Sequence, residues 1–475
     1  MHSGISSASV RQSALIVATM ASFLVPFLGS SINVALPAIG AALGMDAVAL
    51  SWVATAFMLV SAVCLVPFGR MADLMGRKRV FLAGMLLFSV CSLGCGLARS
   101  ATVLIAFRAL QGVGGAMIFG TGLAILTSVY PPKERGRVMG LNAAAVYTGL
   151  SAGPFVGGLL TEHWGWASIF LGSVPLSLLA AWVAWRGLEG RLTGGGGGKF
   201  DGVGSVMYGV ALIALMMGLS ASRGVVGIAL VTVSLAVFGW FVRWESRVTN
   251  PVVDVALLSG NVVFARSNLA ALINYSANFA VAFLVSLYLQ YIRGLSPGQA
   301  GLVLLTQTVV MAGLSPVAGR LSDRWEPRIV ASLGMALSVA GLGWFCFLQP
   351  ETPLAAIVAA LVVLGAGFGL FSSPNTNAVM SSVETAHYGV ASATLGTMRL
   401  VGQMLSMGVV AAVLTHFVGR RAVTPVVHEQ FMSGLRVAFL VFAVVGAGGV
   451  FASLSRGNLR RTTGATPSAG PAGER

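Results

Sequence analysis

Charge is what this chain has least of. Asp, Glu, Lys and Arg make up 9% of its 475 residues, and only 14 residues are acidic. Those acids all fall in loops, tails or the ends of apolar runs, none in the middle of one. Cysteine is equally sparse: Cys64, Cys91, Cys95 and Cys346 lie inside apolar runs. Cys91 and Cys95 share a helix face, but no His or acid accompanies them. We read the four as small core residues, silent about redox compartment, and expect neither metal nor cofactor. No apolar run carries a His–acid cluster or a nucleophile–base pair, which argues against a membrane enzyme. The glycine run Gly194–Gly198 is not a phosphate loop, since Thr193 takes the first glycine position and Phe200 follows Lys199. That argues against an ATP-driven pump. The sequence also offers no extramembrane domain on which a receptor or scaffold could be built.

What the chain does have is apolar length. It is 56% hydrophobic, with a mean hydropathy of +0.87. A soluble protein of this size cannot hide so much apolar surface, so lipid is the solvent for most of it. A bilayer core about 30 Å thick needs roughly 20 apolar helical residues per crossing. Fourteen such stretches are found, at about 14–37, 48–69, 79–98, 102–126, 138–160, 166–186, 203–221, 224–242, 265–290, 298–319, 328–348, 354–376, 391–416 and 433–454. They lack the alternation of barrel strands, so an all-α integral membrane protein is expected. The net charge of +15 is topological. With both ends on one side, 21 of the 29 Lys and Arg fall on that side. Six (Arg99, Arg223, Arg293, Arg420, Arg421, Arg436) fall opposite, and Arg108 and Arg399 fall within runs. This asymmetry places both termini in the cytoplasm of a cell-membrane protein and leaves no role for nucleic acid. Met1–Ser13 reads as a short polar tail before a retained first helix, not as a cleaved leader.

The runs fall into groups. After a tail at 1–13, six spans occupy 14–190. A glycine-rich linker (191–202), two further spans (203–242) and a polar loop (243–264) follow. Six more spans fill 265–454, and 455–475 form a second tail. The two groups of six are related. Gly69-Arg70-Met71-Ala72-Asp73 returns 250 positions later as Gly319-Arg320-Leu321-Ser322-Asp323, and at the same offset Lys78 becomes Arg328, Gly84 becomes Gly334 and Met85 becomes Met335. The second copy is degraded, with Trp325-Glu326-Pro327 where the first has Met75-Gly76-Arg77.

Three motifs carry chemistry. The first is the loop Gly69–Arg79, in which glycines such as Gly76 permit a tight turn. Asp73 can pair with an arginine such as Arg77 or cap a helix, locking the two halves together on the cytoplasmic side. The second is Arg108-Ala-Leu-Gln111, a cation in mid-span with an amide one turn on. It is either directed into a polar cavity or bonded to helix carbonyls. The third is Gly149-Leu-Ser-Ala-Gly153-Pro154-Phe-Val-Gly157-Gly158, where proline bends a helix and glycines admit a neighbour. With the Ser30-Ser-Ile-Asn33-Val-Ala-Leu-Pro37 ending of the first span, Tyr288-Leu-Gln290, Leu295–Gly301 and Gly389–Ser392 leading to Arg399, these motifs resemble the major facilitator superfamily. The resemblance is to its fourteen-span drug:proton antiporters and runs from about residue 14 to 454.

That resemblance implies two six-helix halves plus two extra helices, with a small-molecule substrate bound near the midplane between halves. It implies export of drugs or other amphipathic molecules by alternating access in exchange for protons, by a monomer in the bilayer. In those families the arginine matching Arg108 is tied to proton transfer or substrate binding, and GxxxGPxxGG is an antiporter signature. One departure matters: the aspartate usual near the end of the first span is Leu28 here. A proton-coupled carrier generally needs an embedded acid, so a carrier of neutral or anionic metabolites without proton coupling is the alternative. Uncharged and basic groups are left to line the cavity: Asn33, Asn142, Tyr147, Asn274, Asn278, Tyr288, Gln307, Asn377 and Gln403, with Arg399.

Overall fold

A computed structural model of the chain describes residues 8–188, 200–221, 224–248, 251, 255–384, 388–419 and 421–457. The glycine run 194–198 and most of both expected tails lie outside the described residues, as does the side chain of Asp323. The described elements are helices: α1 (Ala8–Leu43), α2 (Ala47–Met75), α3 (Arg77–Gly96), α4 (Ala101–Val129), α5 (Pro132–Trp164), α6 (Ala167–Gly187), α7 (Gly202–Ser220), α8 (Val225–Glu245), α9 (Val255–Gly260), α10 (Val262–Asn278), α11 (Val281–Leu287), α12 (Pro297–Arg324), α13 (Pro327–Phe345), α14 (Leu354–Ser381), α15 (Tyr388–Phe417) and α16 (His428–Leu454). Taking α10, α11 and the π turn Tyr288–Ile292 as one span, 14 are long and apolar enough to cross a membrane. Polar loop residues serve as caps. Asp46, Ser100, Asp201, Asn261 and Ser296 each accept a backbone N–H at the start of the helix that follows. Tryptophans at span ends, such as Trp164, Trp185 and Trp240, are more than half exposed, as expected of an interfacial aromatic belt.

In lipid no water drives helices together, so close backbone approach has to hold them. The internal repeat does this twice. A methyl group at Gly114 of α4 would stand 2.9 Å from Gly84 O of α3, and one at Gly334 of α13 would stand 2.6 Å from Gly367 O of α14. Likewise Gly112 seats its backbone on Phe57 of α2, and Gly365 seats its backbone on Gln307 of α12. The sequence repeat is thus a repeated pair of helix contacts. α7 lies against both α2 and α15, while α8 packs on α7 and turns Val225 and Ile228 to the lipid.

The ninth span departs from the single helix expected over 265–290. It breaks at Phe279–Ala280, where the Ala280 N–H leaves the helical ladder and donates to Ser406 Oγ of α15 at 3.0 Å. Asn278, just before the break, turns its amide back onto Asn274 O and Oδ1. Side chains here supply what the backbone ladder gives up.

The halves are joined away from the side that carries the termini. On the far side Gln290 Nε2 donates to Val34 O at 2.9 Å, and Ser296 Oγ and Gly298 N both donate to Glu162 at 3.0 Å. Ala47 N donates to Arg421 O, and Gly158 leaves only 2.5 Å between an added methyl and Pro297 O. At the termini side the described hydrogen bonds stay within one half. Gly112→Val and Gly365→Val, at equivalent places in the repeat, should each cost about 1–3 kcal/mol by overpacking. Unchanged melting in detergent for either would contradict the contact pairs as structural.

Candidate functional site

Arg108, Arg456 and Arg399 sit among the packed helices, and they differ in what surrounds them. Arg108 is 2% exposed. Its Nε donates to Val53 O at 2.9 Å, its Nη1 to Gln111 Oε1 at 2.5 Å, and its guanidinium lies 4.5 Å over the Phe57 ring. Gln111 in turn donates to Ser92 Oγ. The described bonds of Arg108 thus run to one helix carbonyl and one side-chain amide inside the first half, among α2, α3 and α4.

Arg456 was missed, because it follows the last apolar run and reads as tail. It is 1% exposed. It donates to Ser453 O, Ser453 Oγ, Ser267 Oγ and, at 2.7 Å, Asn375 Oδ1. It thereby ties together the termini-side ends of α10, α14 and α16. Burial pulls its pKa from the usual arginine value down to about 10, which still leaves it a cation at neutral pH.

Arg399 on α15 is different. It is only half-buried, and its single described hydrogen bond runs from Nη2 to Thr376 Oγ1 at 2.7 Å. Its guanidinium stands 5.7 Å over Tyr275, and its Nε is buried without an acceptor. Thr376 belongs to a stripe on α14 at helical i, i+4, i+8 spacing. Phe368 meets the Tyr275 ring edge-on at 5.2 Å, Ser372 accepts from Tyr147 of α5 at 3.3 Å, and Thr376 holds Arg399. Ser315 of α12 donates to the same Tyr147 hydroxyl at 3.2 Å. This places Tyr147, from the first half, against a polar and aromatic patch of the second. The patch sits part-way along each helix, where a molecule between the halves would touch both. Tyr275, beside Asn274 on the ninth span, is a polar cavity candidate by sequence, but Ser315, Ser372 and Thr376 were not, since residues 225 positions apart carry no pairing signal in one sequence.

The other expected cavity residues scatter. Asn142 accepts from Ser22 within the first half. Asn274 and Asn278 bond each other in the second-half interior. Tyr288 is fully buried and donates to Gln349 O, so it braces the far end of its own half and does not face a cavity. Asn377 donates to Ser322 near the termini side. Asn33 is buried, Gln307 and Gln403 are half-buried, and none of the three makes a described side-chain hydrogen bond.

The expected latch also differs. Asp73 takes two bonds from Arg77, at 3.0 and 2.9 Å, and Arg77 Nη1 donates to Ala124 O of α4. Lys78 donates to Trp185 O and Leu188 O at the end of α6. In its described bonds the motif therefore closes the first half on itself and does not bridge the halves: both Arg77 bonds fall on Asp73 Oδ1. Gly76, at φ +104°, makes the turn. Gly69 instead lies inside α2, where its backbone is met by Gly120 of α4 and an added methyl on Gly120 would stand 3.3 Å from it.

In α5 the helix continues through Pro154. Gly149, Gly153 and Gly157 seat it on α1, where Ser31 Oγ donates to Gly153 O at 2.9 Å, while Gly158 faces α12. The motif is a seam for two neighbours, one in each half. No group of His, Cys, Asp and Glu fit for a metal occurs among the described residues.

Two six-helix halves meeting at a polar and aromatic patch part-way along their helices have the architecture of a membrane transporter. The sequence model of the Major Facilitator Superfamily matches residues 18–264 and 268–473, and the chain belongs to that family. It is 28% identical over 385 residues to the riboflavin transporter RibZ of Clostridioides difficile, covering 81% of this chain and 84% of that one. It is 32% identical over 419 residues to the cephamycin export protein CmcT of Amycolatopsis lactamdurans, with 86% of each covered. Its fold is similar to a bacterial homologue of the human lysosomal transporter Spinster in an inward-facing, unoccupied conformation. The TM-score is 0.68 at 16% identity, with 95% of this chain and 97% of that one covered.

Arg108 and Arg399 make a stability prediction. Arg108→Met strands buried acceptors and should cost about 1–3 kcal/mol, read as a lower melting temperature in detergent. Arg399→Gln should melt close to wild type. The reverse order would contradict the division drawn here.

Proposed function

We propose that the chain exports drugs or other amphipathic small molecules by alternating access, in exchange for protons. It would work as a monomer in the cell membrane with both termini cytoplasmic. The observation that carries this reading is the Tyr147–Ser315–Ser372 junction, where one half touches the other part-way across the membrane. The similarity to a cephamycin export protein supports the direction, and the Lys and Arg asymmetry supports the orientation. On that orientation the halves are joined extracellularly, and substrate would enter from the cytoplasm. Outward opening would then break the Glu162 bonds to α12 and slide the Gly157–Gly158 seam. The Asp73–Arg77 pair and Arg108 would keep the first half rigid as it rocks.

A second reading, a carrier without proton coupling, is favoured by one observation. Leu28, where the related antiporters carry an acid, is packed in the apolar core, and no described acid lies mid-span.

The test is proton movement in proteoliposomes containing the purified protein, on adding lipophilic cations, neutral drugs or organic anions. Substrate-triggered proton flux is expected, while substrate movement without it would favour the second reading. Gly153→Leu should abolish transport, because a methyl there already reaches 2.8 Å from Phe27 O. Transport at wild-type rate by Gly153→Leu would overturn the role given to that seam.

A further inference from the structure

We infer that Arg399, with Tyr275 and Thr376, is an anion-reading site. On that inference the molecules this chain moves carry a carboxylate or equivalent acidic group on an aromatic or apolar body. The inference rests on the export reading above and adds the charge of the cargo.

The argument is a comparison within one molecule. A guanidinium in the membrane must face acceptors or a water-filled space. Arg108 and Arg456 are wrapped by carbonyl, hydroxyl and amide oxygens, two acceptors and four respectively. Arg399 has five N–H donors and one described acceptor, Thr376 Oγ1. Its Nε points at nothing in the protein that accepts, yet it is closed off from solvent. The described ion pairs are Arg11–Glu134 and Arg77–Asp73, both at the termini side of the first half. Arg399 therefore carries a positive charge that the described residues do not neutralise, beside the junction of the halves.

Its surroundings specify more than charge. The planar guanidinium fork matches a carboxylate in two parallel bonds. Tyr275 and Phe368, ring edge to ring face, offer an aromatic wall at the same place. Half-buried Gln403, one turn along α15, offers a further amide. A cationic drug would meet a like charge here and find no carboxylate.

This also fits the missing mid-span acid. An inside-negative potential drives an anion outward by itself, sustaining a concentration ratio of about 50-fold per 100 mV. An anion exporter can run without the embedded carboxylate that proton exchange requires.

The test uses the full chain, in detergent for binding and in liposomes of zwitterionic lipid for transport. Three probes matched in bulk are compared: 2-naphthoate, 2-naphthamide and the tetraphenylphosphonium cation. The expected result is 2-naphthoate bound and moved at least tenfold better than 2-naphthamide. Arg399→Gln should lose at least tenfold for the naphthoate and change the naphthamide less than twofold, while Arg399→Lys keeps part of the preference. An Arg399→Gln protein that binds naphthoate as wild type would overturn the inference. So would tetraphenylphosphonium moved in preference to naphthoate, although the export reading would then stand. If no probe of any charge is bound or moved, the export reading and this inference fall together. Should Arg399→Gln melt early, Tyr275→Leu reads the aromatic wall alone: equal loss for both naphthalenes supports the site, and no loss for either overturns it.

Discussion

Lipid offers a polar group nothing, so every carbonyl, amide and guanidinium in this bundle has to be answered from within the protein. That single constraint explains why the structure is built as it is. Helices come close enough for glycine backbones to touch, because area alone gives no driving force between apolar helices in an apolar solvent. Serine and threonine hydroxyls turn back onto their own helices, as Thr121 does onto Met117 O and Thr161 onto Gly157 O. Charged groups either find an enclosed set of oxygens or stay at the ends of spans. Against such a rule, a cation left with unused donors stands out.

The rule also separates scaffold from moving parts. Within the first half, Arg77 and Lys78 staple α3 to α4 and α6, and Arg108 staples α4 to α2. Within the second, Arg456 gathers three helices. Between halves the bonds are fewer and centre on Tyr147, Glu162 and Gln290. Two stiff bodies joined by a sparse set of polar contacts are what a rocking motion requires.

Much of this was legible in the sequence, and the reasons it was legible are physical. Fourteen spans show because apolar length is dictated by bilayer thickness. The repeat shows because Gly84 and Gly334 have to remain small where backbones touch. Asp73 and Arg77 advertised a pair by their one-turn spacing, but not which helix Arg77 would reach beyond it. Arg456 was hidden because hydropathy ends at Leu454 while its side chain is buried against α10 and α14. The Tyr147 junction was hidden for another reason: it joins common polar residues from distant spans, and only the packed halves bring them together. Tyr288 misled because a tyrosine in a span looks the same whether it faces a cavity or a loop carbonyl.

The break at Ala280 has a consequence for how force passes through the molecule. Above it, the π turn and Gln290 are tied to α1 of the first half. Below it, α10 is tied to α14 and α16 through Ser267 and Arg456. The far-side piece thus touches both halves, since Tyr288 of the same π turn donates to Gln349 O, while the Ala280 N–H at the break bonds Ser406 of α15. A rigid rod at that position would lever one half against the other. A jointed one would let the far-side end, which touches both halves, stay seated while α10 leans with the second.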